Sequence, residues 1–261
     1  MSTVLDSIIE GVLEDVRARE VPIARLTEQL SEAPELRGAY ASLSREGMRV
    51  IAEVKRSSPS KGELSTITDP AGLAQKYEEG GASVVSVLTE QRRFKGSMAD
   101  FRVVRSAIEL PVLRKDFIVT EFQVLESRLL GADLLLLIVA GLSRSQLVDF
   151  YQLARELGMD VLVETHDERE VEIACDLGAR IIGVNSRNLK TLDVDARAFE
   201  RLIPMIPTGV LKIAESGISS PGEVSALREI GANGILVGET LVKAGNPTEA
   251  IRHLLGNAGT V

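Results

Sequence analysis

Short apolar runs alternate with amphipathic helical stretches from residue 50 onward, and this recurrence restricts the fold more than any other feature of the chain. We predict eight strands, at Arg49–Val54, Ser83–Leu88, Pro111–Arg114, Asp133–Val139, Asp160–Glu164, Arg180–Asn185, Val210–Ala214 and Gly234–Val237. Most of these runs lack strict alternation, which is typical of parallel strands that are covered on both faces. We predict helices between them, at Pro70–Glu79, Ser97–Ala107, Glu121–Leu130, Ser143–Leu157, Glu168–Leu177, Ala196–Ile203 and Ser220–Ile230.

Eight repeated βα units without a linker or a change in composition predict an α/β fold, a closed (β/α)8 TIM barrel, rather than a doubly wound open sheet. Gly-Ala pairs follow four of the helices, because Gly accepts the left-handed conformation that ends a helix. The length of 261 residues suits one such domain. We therefore predict an N-terminal helical extension over residues 1–48 and a single catalytic barrel domain over residues 49–261. The pattern alone does not decide whether the extension caps the bottom of the barrel or helps to close its top.

Composition excludes several classes of function. A net charge of −8 and an aromatic content of 3% argue against a nucleic-acid partner, since polyanions need a basic face and single strands need stacking rings. One Cys and two His argue against a disulfide framework and a His-rich metal site, and they fit a reducing compartment. The acidic, amphipathic N-terminus does not resemble a signal peptide, and the run 134–142 is too short to span a bilayer. We expect a cytoplasmic protein without a metal, a cofactor or a membrane partner.

Charged and polar residues stand at the C-terminal ends of five predicted strands, where a βα barrel assembles its active site. These residues are Glu53 and Lys55 on the first strand, Lys115 on the third, Glu164 on the fifth, Asn185 and Arg187 on the sixth, and Glu215 on the seventh. Each of them alone could be a solvated loop charge or a structural ion pair. Five strand ends of this kind together indicate a functional site.

Glu53 and Lys55 lie two residues apart on one strand, so their side chains point to the same face. In the barrel mouth they could pair with each other and with Lys115 and Glu164. That setting shifts pKa values toward acid–base chemistry. The alternative is a buried structural salt bridge.

Two kinds of loop are candidate binding sites. Residues 57–62 follow the first strand and offer hydroxyls, a lysine and a flexible glycine to a substrate, although a plain polar loop is the alternative. The turns Glu215-Ser216-Gly217-Ile218 and Gly238-Glu239 follow the last two strands, where many barrels bind phosphate through backbone N–H groups. The alternative is that these glycines serve turn geometry only.

Three further residues are weaker candidates. Cys175 lies on the apolar face of a predicted helix, and we interpret it as a core residue. His166 follows Glu164 by two residues and could reach the barrel mouth, but we interpret it as an exposed loop histidine. His253 is in the last amphipathic helix and is interpreted as structural.

Four segments resemble the indole-3-glycerol-phosphate synthase family. They are IAEVKRSSPSKG at residues 51–62, PVLRKDF at 111–117, VNSRNL at 184–189 and AESGI at 214–218. The resemblance covers the whole chain, including the N-terminal extension, and the first two segments are the most specific. It implies a monofunctional lyase of tryptophan biosynthesis, a decarboxylase that acts on a phosphorylated small molecule. Other enzymes of that aromatic amino acid pathway are candidate partners.

The implied reaction converts 1-(2-carboxyphenylamino)-1-deoxyribulose 5-phosphate to indole-3-glycerol phosphate, CO2 and water. By the resemblance, Lys115 is the general acid that protonates the ribulose ketone, and Glu164 is the carboxylate of the dehydration. Lys55 is a second acid or the partner of the substrate carboxylate, and Glu53 holds both lysines. How Lys55 and Glu164 share the late proton transfers stays open.

The resemblance also implies the binding residues. Asn185 and Glu215 hydrogen-bond the ribulose hydroxyls and the catalytic groups, Arg187 lies beside the anionic end of the substrate, and the anthranilate pocket is lined by Ser58, Pro59, Phe117 and Leu189. The phosphate faces Ser216, Gly217, Gly238 and Glu239, the last of which can offer only its backbone N–H. For the N-terminal extension we expect a role over the barrel mouth.

Two other functions are alternatives. A phosphoribosylanthranilate isomerase would need a Cys and an Asp at strand ends, whereas the only Cys lies within a predicted helix. A catalytically silent barrel that binds a sugar phosphate would have lost a strand-end Lys or Glu, whereas Glu53, Lys55, Lys115, Glu164 and Glu215 are all present.

Overall fold

A closed barrel of eight parallel strands forms the centre of the molecule. The computed structural model describes residues 3–189, 191–195 and 197–256. The strands are β1 (Arg49–Val54), β2 (Val84–Leu88), β3 (Val112–Lys115), β4 (Leu134–Ile138), β5 (Asp160–Thr165), β6 (Ile181–Asn185), β7 (Leu211–Glu215) and β8 (Gly234–Val237). Consecutive strands pair in parallel, and β8 closes the barrel against β1 with Gly234 opposite Arg49. The predicted (β/α)8 barrel is confirmed, and every strand boundary lies within one residue of its prediction.

Helices precede the barrel and surround it. Before the barrel lie α1 (Val4–Arg19), α2 (Ile23–Gln29) and α3 (Ala39–Leu43), and around it lie α4 (Pro70–Gly80), α5 (Met98–Ala107), α6 (Glu121–Leu130), α7 (Arg144–Glu156), α8 (Glu168–Asp176), α9 (Ala198–Leu202), α10 (Pro221–Glu229), α11 (Glu239–Val242) and α12 (Pro247–Leu254). The predicted helix Ala196–Ile203 is shorter than expected, since α9 begins at Ala198 and ends at Leu202, and Ala196 lies outside the described residues. Gly81 and Gly131 end α4 and α6 with φ of 95° and 86°, which explains the Gly-Ala pairs.

Strand β1 illustrates why the predicted strands are apolar without alternation. Val50 and Ala52 pack outward against the surrounding helices, whereas Ile51 packs inward with Leu113 of β3 and Leu134 of β4. Both faces of the strand are therefore buried in apolar surroundings. The inward row of β1 continues through Glu53 to Lys55, which brings the row into the barrel mouth.

The first helix of the N-terminal extension lies at the barrel mouth. Ile8 of α1 lines the pocket that opens between the C-terminal strand ends. Arg92, in the loop after β2, donates hydrogen bonds to Glu14 and Asp15 of α1. Part of the extension therefore covers the mouth, as we expected.

The end of the extension lies at the opposite side of the barrel. The backbone N–H of Tyr40 donates to Asp160 at the start of β5, over 2.8 Å. The Ser42 hydroxyl donates to the carbonyl of Ser83, just before β2. The extension therefore has both of the placements that we considered: α1 lies at the mouth of the barrel, and the segment around α3 lies at its bottom. Between them, α2 packs along α6.

A buried ionic network connects α1 to β3. The guanidinium of Arg114 on β3 has no exposed surface, and it bonds Glu126 at 2.9 Å and Asp116 at 3.2 Å. Arg19 at the end of α1 reaches the same Glu126 over 2.8 Å. The residue directly after Arg114 is Lys115, so the network anchors the strand that carries the proposed acid.

No helix in the described part of the chain has both the length and the apolar character to cross a membrane.

Candidate active site

A pocket of about 430 Å³ opens at the C-terminal ends of the strands. It is lined by all fifteen residues that the sequence nominated, namely Glu53, Lys55, Ser58, Pro59, Lys115, Phe117, Glu164, Asn185, Arg187, Leu189, Glu215, Ser216, Gly217, Gly238 and Glu239. Positions as far apart in the chain as 53 and 239 meet here because every strand of a parallel barrel points its C-terminal end to the same side. The pocket therefore brings these side chains together in one place.

Lys115 lies at the centre of the charged part of the pocket. Its Nζ donates to Glu164 Oε2 at 3.0 Å and lies 3.6 Å from Glu215 Oε2. Burial alone would lower the pKa of Lys115, but the surrounding carboxylates, Glu164 above all, outweigh burial and raise this pKa above its usual range. The lysine is therefore held protonated, as a general acid requires.

Glu164 is buried, at 1% exposure, and lies at the end of β5. Burial raises the pKa of its carboxyl, but Lys115 and His166 outweigh that effect and hold the pKa well below its usual range. The Asn185 side-chain amide donates to Glu164 Oε1 over 3.1 Å. The carboxylate is thus ionised and held by donors on both of its oxygens.

Glu215, at the end of β7, has the opposite protonation preference. Burial and the neighbouring charge of Glu164 raise the pKa of Glu215 well above its usual range, against the pull of Lys115. Gly183 on β6 makes room for this side chain, because a Cβ atom there would lie 2.1 Å from Glu215 Oε1. The two carboxyl groups that flank the lysine therefore have pKa values shifted in opposite directions.

Glu53 and Lys55 point into the mouth together, with Glu53 Oε1 2.5 Å from Lys55 Nζ. Gly238 on the neighbouring turn permits this position, since a Cβ atom there would lie 2.5 Å from the same oxygen. The two residues thus form an ion pair, and that pair lines the pocket.

One end of the pocket is apolar. The rings of Phe94 and Phe117 lie 6.0 Å apart between centroids, tilted by 41°. Ile8, Pro59 and Leu189 are among the other apolar residues that line the pocket. Ile8 and Phe94 were not predicted, because an apolar residue on a helix or in a loop carries no signal of the cavity that it faces.

The turns after β7 and β8, which we predicted as the phosphate site, line another part of the pocket. Ser216 and Gly217 both have left-handed backbones, with φ of 71° and 74°, and the Ser186 hydroxyl, 3.2 Å from the Ser216 carbonyl oxygen, supports this turn. Consecutive residues of this kind point backbone N–H groups toward one side of a turn.

Glu239 contributes its side chain to this part of the pocket, and not only its backbone N–H. Its Oε1 accepts from Lys61 and from Lys243, each at 2.8 Å. Lys61 was noted in the sequence as part of the loop 57–62, whereas Lys243 was missed because it lies on a short stretch after α11 with no motif around it. Two ammonium groups therefore meet at the Gly238 turn.

His166 was interpreted as an exposed loop histidine, and that interpretation is wrong. Its side chain is only 8% exposed, and its Nε2 lies 3.2 Å from Glu164 Oε1. Burial lowers the pKa of the imidazole, but Glu164 and Glu170 outweigh burial and raise it to about 10. Exposure was misjudged because Glu170, one helical turn later, reaches back over the ring.

The other weak candidates behave as ordinary structural residues. Cys175 is partly buried against the core between helices and barrel, and burial raises the pKa of its thiol. His253 is exposed on α12. Within the described residues no group of His, Cys, Asp and Glu has a geometry that could hold a metal ion.

Comparisons with known proteins show the family to which the chain belongs. The sequence model of the family described as indole-3-glycerol phosphate synthase matches residues 5–254. The indole-3-glycerol phosphate synthase of Paenarthrobacter aurescens is 55% identical over 95% of this chain and 94% of its own length, and that of Streptomyces griseus is 52% identical over 97% and 95%. A solved structure of 3-hexulose-6-phosphate synthase covers 81% of this chain and all of its own, with a TM-score of 0.63 and 15% identity, which shows a common fold alone. The chain is a member of the indole-3-glycerol phosphate synthase family.

Proposed function

We propose that this protein converts 1-(2-carboxyphenylamino)-1-deoxyribulose 5-phosphate to indole-3-glycerol phosphate, CO2 and water, the reaction of its family. The observation that carries the proposal is the buried Lys115 among three carboxyl groups, between an apolar region and a Gly-bearing anion site. A substrate with an aryl ring at one end and a phosphate at the other fits this division of the pocket.

The first step is ring closure. The aromatic carbon that bears the carboxylate attacks the ribulose ketone, and the ketone oxygen becomes an alkoxide unless it receives a proton. Lys115 supplies that proton, because its ammonium group is the buried donor that the carboxylates keep charged. Phe117, Pro59 and Leu189 hold the aryl ring in place.

The second step releases CO2 and restores the aromatic ring. Before this step the substrate carboxylate is balanced by Lys55 and Arg187 at the pocket rim. The apolar region around Phe94 and Phe117 favours decarboxylation, since the negative charge of a carboxylate is concentrated in the reactant and dispersed in the transition state.

The third step is dehydration. Glu164 takes the proton from the carbon beside the nitrogen, because its low pKa keeps it ionised. The leaving hydroxyl receives its proton from Lys55, whose ammonium lies 2.5 Å from Glu53. The neutral form of Glu215, which its raised pKa favours, donates a hydrogen bond to a ribulose hydroxyl, and Asn185 keeps Glu164 aligned.

The phosphate binds where Ser216, Gly217 and Gly238 offer backbone N–H groups. Lys61 and Lys243, which pair with Glu239, would then share their charge between that carboxylate and the phosphate. A cytoplasmic location and contact with other enzymes of the tryptophan pathway stay predictions.

The alternative isomerase activity has less support. Its acid–base chemistry would call for a cysteine at a strand end, whereas Cys175 lies on α8 and packs against the outer core. The silent barrel is disfavoured by the complete set of charged residues around Lys115.

A fluorescence assay for indole formation from the carboxyphenylamino substrate tests the function. We expect turnover by the wild type, and we expect Lys115→Ala and Glu164→Gln each to lower kcat by about 10²- to 10⁴-fold, because each removes a proton-transfer group. Lys76→Ala and Glu156→Gln, at exposed helix positions, are matched controls and should leave kcat unchanged. A folded wild type without product would contradict the function, and near-normal kcat in both active-site variants would contradict the roles.

A further inference from the structure

The imidazole of His166 lies between two carboxylates. Its Nε2 is 3.2 Å from Glu164 Oε1, and its Nδ1 is 2.9 Å from Glu170 Oε2. Nδ1 is thus hydrogen-bonded to Glu170, whereas Nε2 meets Glu164 at an ion-pair distance without hydrogen-bond geometry, and carboxylates on both sides favour a charged ring. Glu164 is the carboxylate proposed above for the dehydration, so the ring stands directly behind a reacting group.

Glu170 is held in place by the start of α8. Its backbone N–H donates to the capping residue Asp167 at 2.9 Å, and its side chain turns back so that Oε2 also accepts from the backbone N–H of His166 at 2.8 Å. One carboxylate oxygen thus fixes both the backbone and the ring of His166. This local arrangement orients the imidazole before any substrate arrives.

Capping of α8 does not explain the ring. The bond from Glu170 to the His166 backbone would form with any side chain at position 166, whereas Nε2 points away from the helix to Glu164. Among the described residues, the charged groups that face the imidazole are Glu164 from β5 and Glu170 from α8. The groups that face Glu164 in turn are Lys115, His166 and the carboxyl of Glu215, whose pKa is raised.

The contacts divide the two oxygens of Glu164 between different partners. Oε1 faces both His166 and the Asn185 amide, at 3.2 Å and 3.1 Å. Oε2 accepts a hydrogen bond from Lys115, at 3.0 Å. When Lys115 turns to the ketone oxygen of a substrate, Oε2 is the oxygen that becomes free to accept a proton.

We propose that His166, oriented by Glu170, is a positioning residue whose positive charge lies against Oε1 of Glu164 and so reserves Oε2 for the proton removed in the dehydration. The inference rests on the proposed function and assigns to it a residue outside the pocket lining. His166 itself touches no substrate in this arrangement and acts only through Glu164.

The charge of the ring gives this role a pH signature. A cation beside Glu164 lowers the pKa of that carboxyl, so its removal makes Glu164 protonate at higher pH and moves the acid limb of the kcat profile upward, by about 1 pH unit. Loss of the Glu170 charge acts differently: the pKa of His166, now about 10, falls toward its ordinary value. The Glu170→Gln enzyme should then lose activity as pH rises from the ordinary pKa of a histidine toward about 10, whereas the wild type keeps a charged His166 over that range.

The test compares His166→Asn and Glu170→Gln with matched controls. His253→Asn makes the same change at the other histidine of the chain, and Glu172→Gln makes the same change at an exposed position of α8. We expect kcat at pH 7 to fall about 10- to 100-fold in His166→Asn, as is typical when the partner of a reacting group is removed, with little change in KM. The controls should keep the wild-type kcat and pH profile.

A nuclear magnetic resonance titration reads the histidine charge directly, because the chain has only two histidines. We expect the His166 ring to keep both protons at pH 8 in the wild type and to lose one in Glu170→Gln, a near-isosteric change that leaves α8 folded. Wild-type pH profiles in His166→Asn and Glu170→Gln, or a neutral His166 ring at pH 8 in the wild type, would overturn the proposal. Absence of turnover by the wild type would instead refute the proposed function, so the two failures are distinguishable.

Discussion

Gly183 offers a sharp test of how strictly the carboxyl groups must be placed. Its φ is not positive, so the backbone does not require glycine there. What requires it is space, since a Cβ atom would lie 2.1 Å from Glu215 Oε1 and 3.3 Å from Leu162 Cδ1. In Gly183→Ala the glutamate, whose end is the more mobile of the two neighbours, must move.

The size of the effect follows from that distance. Non-bonded contacts to a Cβ atom below about 3 Å hardly occur, so the Glu215 oxygen has to shift by about 1 Å, and a displacement of that size costs about 100-fold in rate. We expect kcat of Gly183→Ala to fall by that factor, and the free energy of unfolding to fall by about 1–3 kcal/mol from overpacking.

The assay is indole formation, with thermal unfolding measured in parallel. Gly222→Ala is the matched control, because nothing lies within 4 Å of a Cβ atom at that position of α10. It should keep the wild-type kcat and gain about 0.4–1 kcal/mol of stability. In a Glu215→Ala background the Gly183→Ala change should cost little further activity, since the displaced group is already gone. Wild-type kcat in Gly183→Ala would refute the reasoning.

Two other predictions address the ionic groups. Arg114→Met should lower the free energy of unfolding, measured in urea, by about 3–5 kcal/mol, because it removes the buried cation that Asp116 and Glu126 share. Arg144→Met, at an exposed ion pair, is the control and should lower it by less than about 1 kcal/mol. Equal losses in the two variants would contradict a stabilising role of the network. Glu215→Gln should retain far more activity than Glu215→Ala, because the raised pKa of the wild-type carboxyl favours its neutral form, which the amide resembles. As pH rises through that raised pKa the wild type should lose activity and Glu215→Gln should not, so a shared alkaline limb would argue against a neutral Glu215.

The barrel was predictable because its signal is local and repeated. Each strand is an apolar run bounded by a turn, and most barrel helices begin at a Ser, Thr, Asp or Asn whose side chain accepts a backbone N–H, as Ser143 and Ser220 do. The strand-end residues were predictable for a related reason, since a charged side chain at the C-terminal end of a barrel strand faces the barrel mouth. Nothing in either inference required knowledge of distant contacts.

His166, Ile8 and Lys243 were misjudged or missed because their surroundings come from elsewhere in the chain. The burial of His166 depends on how the Glu170 side chain turns back, and a sequence does not show rotamers. Ile8 has the same helical spacing as its neighbours on α1, but it alone among the residues of that helix lines the main pocket in the described structure. Lys243 gains its importance from Glu239 and Lys61, which meet only when the barrel closes.

The extension that reaches from the barrel mouth to its bottom also constrains the order in which the chain can fold. Its residues leave the ribosome before those of the barrel, yet Arg19 binds Glu126, Arg37 binds Asp133 and Tyr40 binds Asp160, partners that follow by 107, 96 and 120 residues. Contacts over such separations form slowly, because long loops must close before they are gained. We therefore expect the first 44 residues to dock only after β5 has been made, so that completion of the pocket wall at Ile8 reports on a barrel already more than half assembled.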